Sequence, residues 1–188
     1  MKKAIQNYFE RVKEPLDYYA NEDFSKVSTE LKNKIDNDEL LIERRDQTDL
    51  SVFEKEFGYK LPSEIEDYIN LFWHPCVSGY YNTKEAVVLF SVLKEEGDSS
   101  NDILFYKNGL ITMAKAWEEI GDIQKFIPIG WLGHSGGYVL YEVSSNNVYL
   151  ENMDVDGEVE EKPIAHSLKE LINGLYLNPL FKEGGLNK

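Results

Sequence analysis

One cysteine, Cys76, occurs in 188 residues, so an internal disulfide framework is excluded and a reducing compartment is indicated. Histidine is scarce too. His74, His134 and His166 lie far apart and show no ligand spacing, so they read as surface or loop residues, and neither a metal nor another cofactor is expected. Long apolar runs are lacking: the longest, Ala86 to Leu93, falls far short of the roughly 20 residues a membrane-spanning helix needs. The basic start Met1-Lys2-Lys3 is followed by Glu10, Arg11, Lys13 and Glu14, which interrupt any signal-peptide core; the sequence reads as cytoplasmic, without membrane insertion.

Positive charge is the most telling shortage. With 20 basic against 34 acidic residues the formal net charge is −14, which disfavours direct binding to nucleic acid or anionic lipid. Between Phe126 and Glu161 there is no Lys or Arg, while Glu142, Glu151, Asp154, Asp156, Glu158, Glu160 and Glu161 carry seven negative charges. Half of the net charge is thus concentrated in one short stretch.

What is present suffices for a core, since 42% of residues are hydrophobic, with nine Phe, twelve Tyr and three Trp. Residues 3–20 place Ile5, Tyr8, Phe9 and Val12 on one helical face, with Pro15 as a kink or end, and a weaker helical pattern covers 24–35. The charged segment 36–49 reads as a connector. The expected organisation is a helical arm and connector over 1–47, a body over 48–180 and a flexible tail over 181–188.

In the body, Leu50, Phe53 and Phe57 follow the candidate caps Thr48 and Asp49, and Gly58 can stop that helix. Pro62 and a Ser63/Glu66 capping box then open a helix with the stripe Ile65, Tyr68, Ile69 and Phe72. The run 86–93 reads as a buried strand. Residues 102–120 are helical with a break at Asn108-Gly109, Trp117 on the core face and Gly121 as the stop. From Phe126 the period shifts to about two, giving strands at 126–130, 138–143 and 148–153 and a hairpin turn at Asp156-Gly157. Ser167 and Glu170 form a second capping box before a closing helix lined by Leu168, Leu171, Ile172 and Leu175. The fold class is α+β: a twisted antiparallel meander with helices packed around it.

Three segments, in order, resemble the SUKH superfamily, which contains bacterial polymorphic-toxin immunity proteins, the SecY-interacting protein Syd and yeast cell-wall synthesis regulators. Phe53 to Ile69 resembles its opening helix pair, Phe126 to Tyr141 its strand, glycine turn and strand, and Ala165 to Ile172 its C-terminal helix. The sequence departs from the family's pattern at the acid after the glycine turn, here Glu142, and at His74 to Gly79 in place of a small glycine loop. The resemblance implies a non-catalytic protein-binding module with no catalytic residues to carry over. Its first implication is an immunity protein that neutralises a toxin, often a nuclease, through an acidic surface; its second is a Syd-like role on the basic cytoplasmic loops of the SecY translocon.

The candidate partner-binding residues are Trp131, Tyr138, Glu142, Glu151, Asp154, Asp156, Glu158 and Glu160. If 148–161 is extended, Asp154, Asp156, Glu158 and Glu160 share one face; a turn at Asp156-Gly157 splits them across two strands. Trp131, in the glycine turn, is either an interface anchor or a lid on the sheet end. A rival of another class is a small serine hydrolase: Gly133-His-Ser135-Gly-Gly137 satisfies the nucleophile-elbow spacing, followed by Asp154 or Asp156 and His166. An alternating strand follows Ser135 where an elbow needs a helix. Asp154-Val-Asp156-Gly-Glu158 suggests a calcium loop, but Val159 stands where an EF-hand requires glycine. Cys76 and His74 flank Pro75 without a third orienting group.

Overall fold

The computed structural model describes residues 1–11, 26–35, 37 and 39–175. Val12, Pro15, the start of the 24–35 pattern and the 181–188 tail lie outside the described residues. Among those described, six helices surround an open antiparallel sheet of five strands in the order β3 (Val77–Gly79), β4 (Val87–Leu89), β5 (Phe126–Leu132), β6 (Tyr138–Glu142) and β7 (Val148–Leu150), with β1 (Ile42–Glu43) and β2 (Phe72–Trp73) as a separate pair. This is the α+β meander that the periodicities predict.

α1 (Lys2–Arg11) carries no acid in its first turn and buries Ala4, Ile5, Tyr8 and Phe9. These belong to one hydrophobic core with Ile65, Tyr68, Leu171 and Ile172, and α1 packs on α6 (Leu168–Gly174) and α4 (Ser63–Asn70). The expected division between an arm over 1–47 and a body from residue 48 therefore gives way to a shared core. The reason is that one face of α1 is as apolar as those of its neighbours. The buried Tyr8 hydroxyl donates to the Ser78 carbonyl (2.8 Å) and accepts from the Ser78 amide (2.9 Å). Both groups belong to the outer edge of β3 (Val77–Gly79), which pairs only with β4 (Val87–Leu89).

The connector also proves structural. α2 (Thr29–Ile35) buries Leu31, and β1 (Ile42–Glu43) pairs with β2 (Phe72–Trp73). Arg44 is buried against the Trp73 ring, its guanidinium carbon 3.8 Å from the ring centre. It donates to the Ile69 carbonyl (2.7 Å) and the Thr48 hydroxyl (3.1 Å), which offsets part of the desolvation of a charge.

α3 (Ser51–Phe57) ends at Gly58, whose φ of 81° and amide bond to the Glu54 carbonyl make the left-handed stop. At α4 the expected Ser63/Glu66 box is absent, because Pro62 itself takes the cap position with an extended ψ of 142° and Ser63 already belongs to the helix. Glu64 instead reaches the Leu168 amide (2.9 Å) at the start of α6. There Ser167 caps as the sequence predicts, accepting from the Glu170 amide (3.0 Å), while the Glu170 carboxylate reaches the His166 amide (2.9 Å).

The 102–120 segment breaks at Asn108-Gly109 into a 3-10 turn (Asp102–Phe105) and α5 (Leu110–Glu118). A Cβ at Gly109 would overlap the Ile103 and Leu104 carbonyls, which is why glycine stands at this corner. α5 packs on β5 (Phe126–Leu132), with the Trp117 ring edge-on to Tyr138 at 5.7 Å. β6 (Tyr138–Glu142) lies between β5 and β7 (Val148–Leu150). The free side of β7 is bonded by the returning chain, Glu160 to Leu150 (2.9 Å) and Ile164 to Val148 (2.8 Å), with a further bridge from Val148 to Ala165 (2.8 Å). No helix among the described residues is long and apolar enough to cross a membrane.

Candidate functional site

The acidic stretch folds into a hairpin loop that follows β7. β7 ends at Leu150, the chain turns through 152–158 and Val159 bridges back to Glu151, so the single extended face is not formed and the split arrangement is. The loop is bonded internally: Val155 to the Asn152 carbonyl (3.1 Å), Glu158 to Val155 (3.2 Å), Asn152 to Glu158 (2.9 Å), and the Asp154 amide to the Asn152 side chain (3.0 Å).

Two close approaches fasten the loop to the body. Gly157 has φ 76° and sits so near the Ile120 carbonyl that a Cβ there would overlap it. A Cβ at Gly137 would likewise meet the Met153 sulfur. The Asp156-Gly157 turn signal thus marks the right glycine, although the loop is longer than a two-residue hairpin turn.

The structure divides the eight candidate residues. Asp154, Asp156, Glu158 and Glu160 are exposed, on the loop and on the strand leaving it. Beside them Met153, Val155 and Ile120 are exposed by 55, 44 and 44%, so apolar groups and carboxylates share this tip. Glu118 and Glu119, exposed at the end of α5, extend the acidic surface.

Four of the eight serve the fold. Glu151 is half-buried and accepts the Tyr138 amide (2.9 Å). Glu142 pairs with Lys125 (3.9 Å) and accepts from the Ser145 hydroxyl. Tyr138 meets the Trp117 ring edge-on, and burial, then the charges of Glu151 and Glu119, push its hydroxyl above the usual range. Trp131 packs half-buried on Cys76 and Val88, where the strand pairing Val88 with Trp131 places it, and not among the exposed carboxylates.

The serine elbow is a turn from strand to strand. Gly136 has φ 77°, and Leu132 bonds Gly137 and Gly136 bonds Leu132 through the backbone. The amides of His134 (3.0 Å) and Ser135 (2.6 Å) both donate to the Glu85 carboxylate. Those bonds, the Ser135 amide foremost, hold Glu85 below the ordinary carboxylate range. The amide of Gly136, the residue after the serine, which an elbow's oxyanion hole would use, is bonded to the Leu132 carbonyl (3.0 Å), and the two amides before it are occupied by the protein's own carboxylate. The imidazole of the would-be triad histidine, His166, lies against Asn147 (3.2 Å). Glu85 carried no signal in the sequence, since its role depends on β4 lying beside the turn.

His74 is a correction: instead of lying at the surface it is fully buried between the rings of Tyr68 (4.8 Å) and Phe9 (5.7 Å). Its Nδ1 contacts the Pro75 carbonyl at 2.7 Å. Burial lowers its pKa from 6.5 to about 4. Cys76 is buried as well, on the sheet face with Val88. Among the described residues no group of three or more His, Cys, Asp or Glu is placed to hold a metal ion, and the Asp154-to-Glu158 loop is not one.

No protein-family model matches the sequence, and no curated protein matches it.

Proposed function

We propose that this chain is a protein-binding module of SUKH-like type, most specifically an immunity protein that neutralises a basic toxin domain by covering its substrate-binding surface. The observation that carries the reading is the fastened loop 152–158. It holds carboxylates around exposed Met153, Val155 and Ile120, in a stretch from Phe126 to Glu161 without a basic residue. Like charges so placed repel one another in the free protein and are compensated by a cationic partner, whose approach they accelerate. Apolar groups within a charged surround give the contact its dehydrated centre. The order of the three SUKH-like segments supports the same reading. Glu85, by occupying the His134 and Ser135 amides in the turn, weighs against the hydrolase.

The test is the association rate between this protein and the small basic domain of a secreted protein encoded beside it, measured against salt. Reversing Asp154, Asp156, Glu158 and Glu160 to Lys should preserve folding, because all four are exposed. Association should slow at least about ten-fold at low salt, and the wild-type rate should fall as the Debye length shrinks towards about 8 Å at physiological ionic strength. Equal rates for the two proteins at low salt would place the interface elsewhere.

A further inference from the structure

Sulfur occurs in one cysteine and three methionines. Cys76 is buried on the sheet face, Met113 belongs to the buried side of α5, and Met1 is half-buried against the same core. Met153, in the acidic loop, is exposed by 55%. An oxidant dissolved in water therefore meets this thioether before the other sulfur atoms, because susceptibility follows exposure.

The place where that sulfur rests gives its oxidation a consequence. A Cβ at Gly137 would overlap the Met153 sulfur and stand 3.6 Å from Glu151 Oε2, so the thioether lies on backbone bare of a side chain and beside a carboxylate. The neighbouring amides are engaged: that of Tyr138 donates to Glu151 Oε2 (2.9 Å) and that of Gly137 to the Ser135 hydroxyl (3.5 Å). A thioether suits this position, being uncharged, polarisable and in no need of a hydrogen bond. A sulfoxide does not, because its S–O bond is polar, its oxygen requires a donor and the carboxylate repels it. We propose that Met153 is an oxidation site for peroxides, and that its sulfoxide releases the start of the loop from Gly137. The sulfur lone pair attacks one peroxide oxygen, the S–O bond forms as the O–O bond breaks, and sulfur gives up two electrons. The second oxygen leaves with the proton of the first, as water in the case of hydrogen peroxide. The loop then keeps its internal bonds and its seat at Gly157 while its opening residues come free. The proposal concerns the loop itself and does not depend on the partner-binding reading.

The experiment exposes the full chain to hydrogen peroxide and follows each methionine by peptide mass spectrometry and each segment by amide hydrogen exchange. Met153 sulfoxide should form at least about five-fold faster than Met113 sulfoxide, and ahead of Met1. In chains oxidised at Met153 alone, exchange over 152–158 should accelerate at least about five-fold, while strands β4 to β6 and the thermal transition stay as they were. Met153→Leu keeps an apolar side chain without the sulfur; its loop should exchange as in the reduced wild type, before and after peroxide. Oxidation of Met113 as fast as Met153 overturns the site. Unchanged exchange over 152–158 in the Met153 sulfoxide, or the same acceleration in peroxide-treated Met153→Leu, overturns the release of the loop.

Discussion

Lowering the pH from 7 to 5 should destabilise this protein, although the same change relieves the self-repulsion of an acidic chain. The agent is His74. Its imidazole lies wholly within the core, packed by Tyr68 and Phe9, with Arg44 as a charged neighbour that also opposes protonation. Burial is the main cause of a folded-state pKa of about 4, against 6.5 for a solvated imidazole. The unfolded chain therefore binds a proton at higher pH than the folded one. His74 contributes its full stability above pH 6.5, and that contribution is lost as the pH falls towards 4. Linkage between these two values gives a loss of about 2 kcal/mol between pH 7 and pH 5. With a urea slope of about 2 kcal/mol/M, the midpoint should fall by about 1 M. The assay is urea unfolding by circular dichroism across that range, for the wild type and for His74→Gln, which cannot titrate. The variant should start less stable and lack the His74 contribution to the fall. A wild-type midpoint that stays level or rises towards pH 5, or a variant with the same decrease as the wild type, would refute the reasoning.

Three other outcomes are expected. Tyr8→Phe removes the group that bonds both the amide and the carbonyl of Ser78, and should cost about 1–3 kcal/mol in chemical denaturation. Gly157→Ala combines a strained φ of 76° with overlap of the Ile120 carbonyl, so amide exchange across 152–158 should accelerate and stability should fall by about 1–3 kcal/mol. Ser135→Ala should leave partner binding intact, and a fluorophosphonate probe should label neither protein; labelling of the wild type that the substitution abolishes would restore the hydrolase reading.

Periodicity made the helices and the meander legible because each rests on local pattern: the Ile65, Tyr68, Ile69 stripe, the Gly58 stop and the alternation from Tyr138 are readable within a few residues. Capping was legible at Ser167 but not at Ser63, since Pro62 moved the helix start forward by one residue. The acidic loop was legible as charge and as a turn, whereas its fastening was not, because the Ile120 carbonyl is distant in sequence. The same holds for Arg44, His74 and Glu85. Each is polar and reads as surface or loop, and each is captured by backbone or aromatic groups that only the tertiary fold brings to it. Tyr138 stands in its expected strand, whereas Trp131, expected in the glycine turn, belongs to β5, which runs two residues further than its alternation suggested; strand register then decided what each packs against.

The Tyr8 hydroxyl on Ser78 and the chain returning along β7 have a consequence for how this molecule can be recognised. Together they occupy main-chain groups on both margins of the sheet, so another polypeptide is discouraged from extending it as an extra strand. Recognition is left to side chains on loops and faces, where charge and shape can be altered without disturbing a single ladder bond. Under the proposed binding role, a scaffold built this way could exchange one partner for another through a few surface substitutions while its fold stays the same.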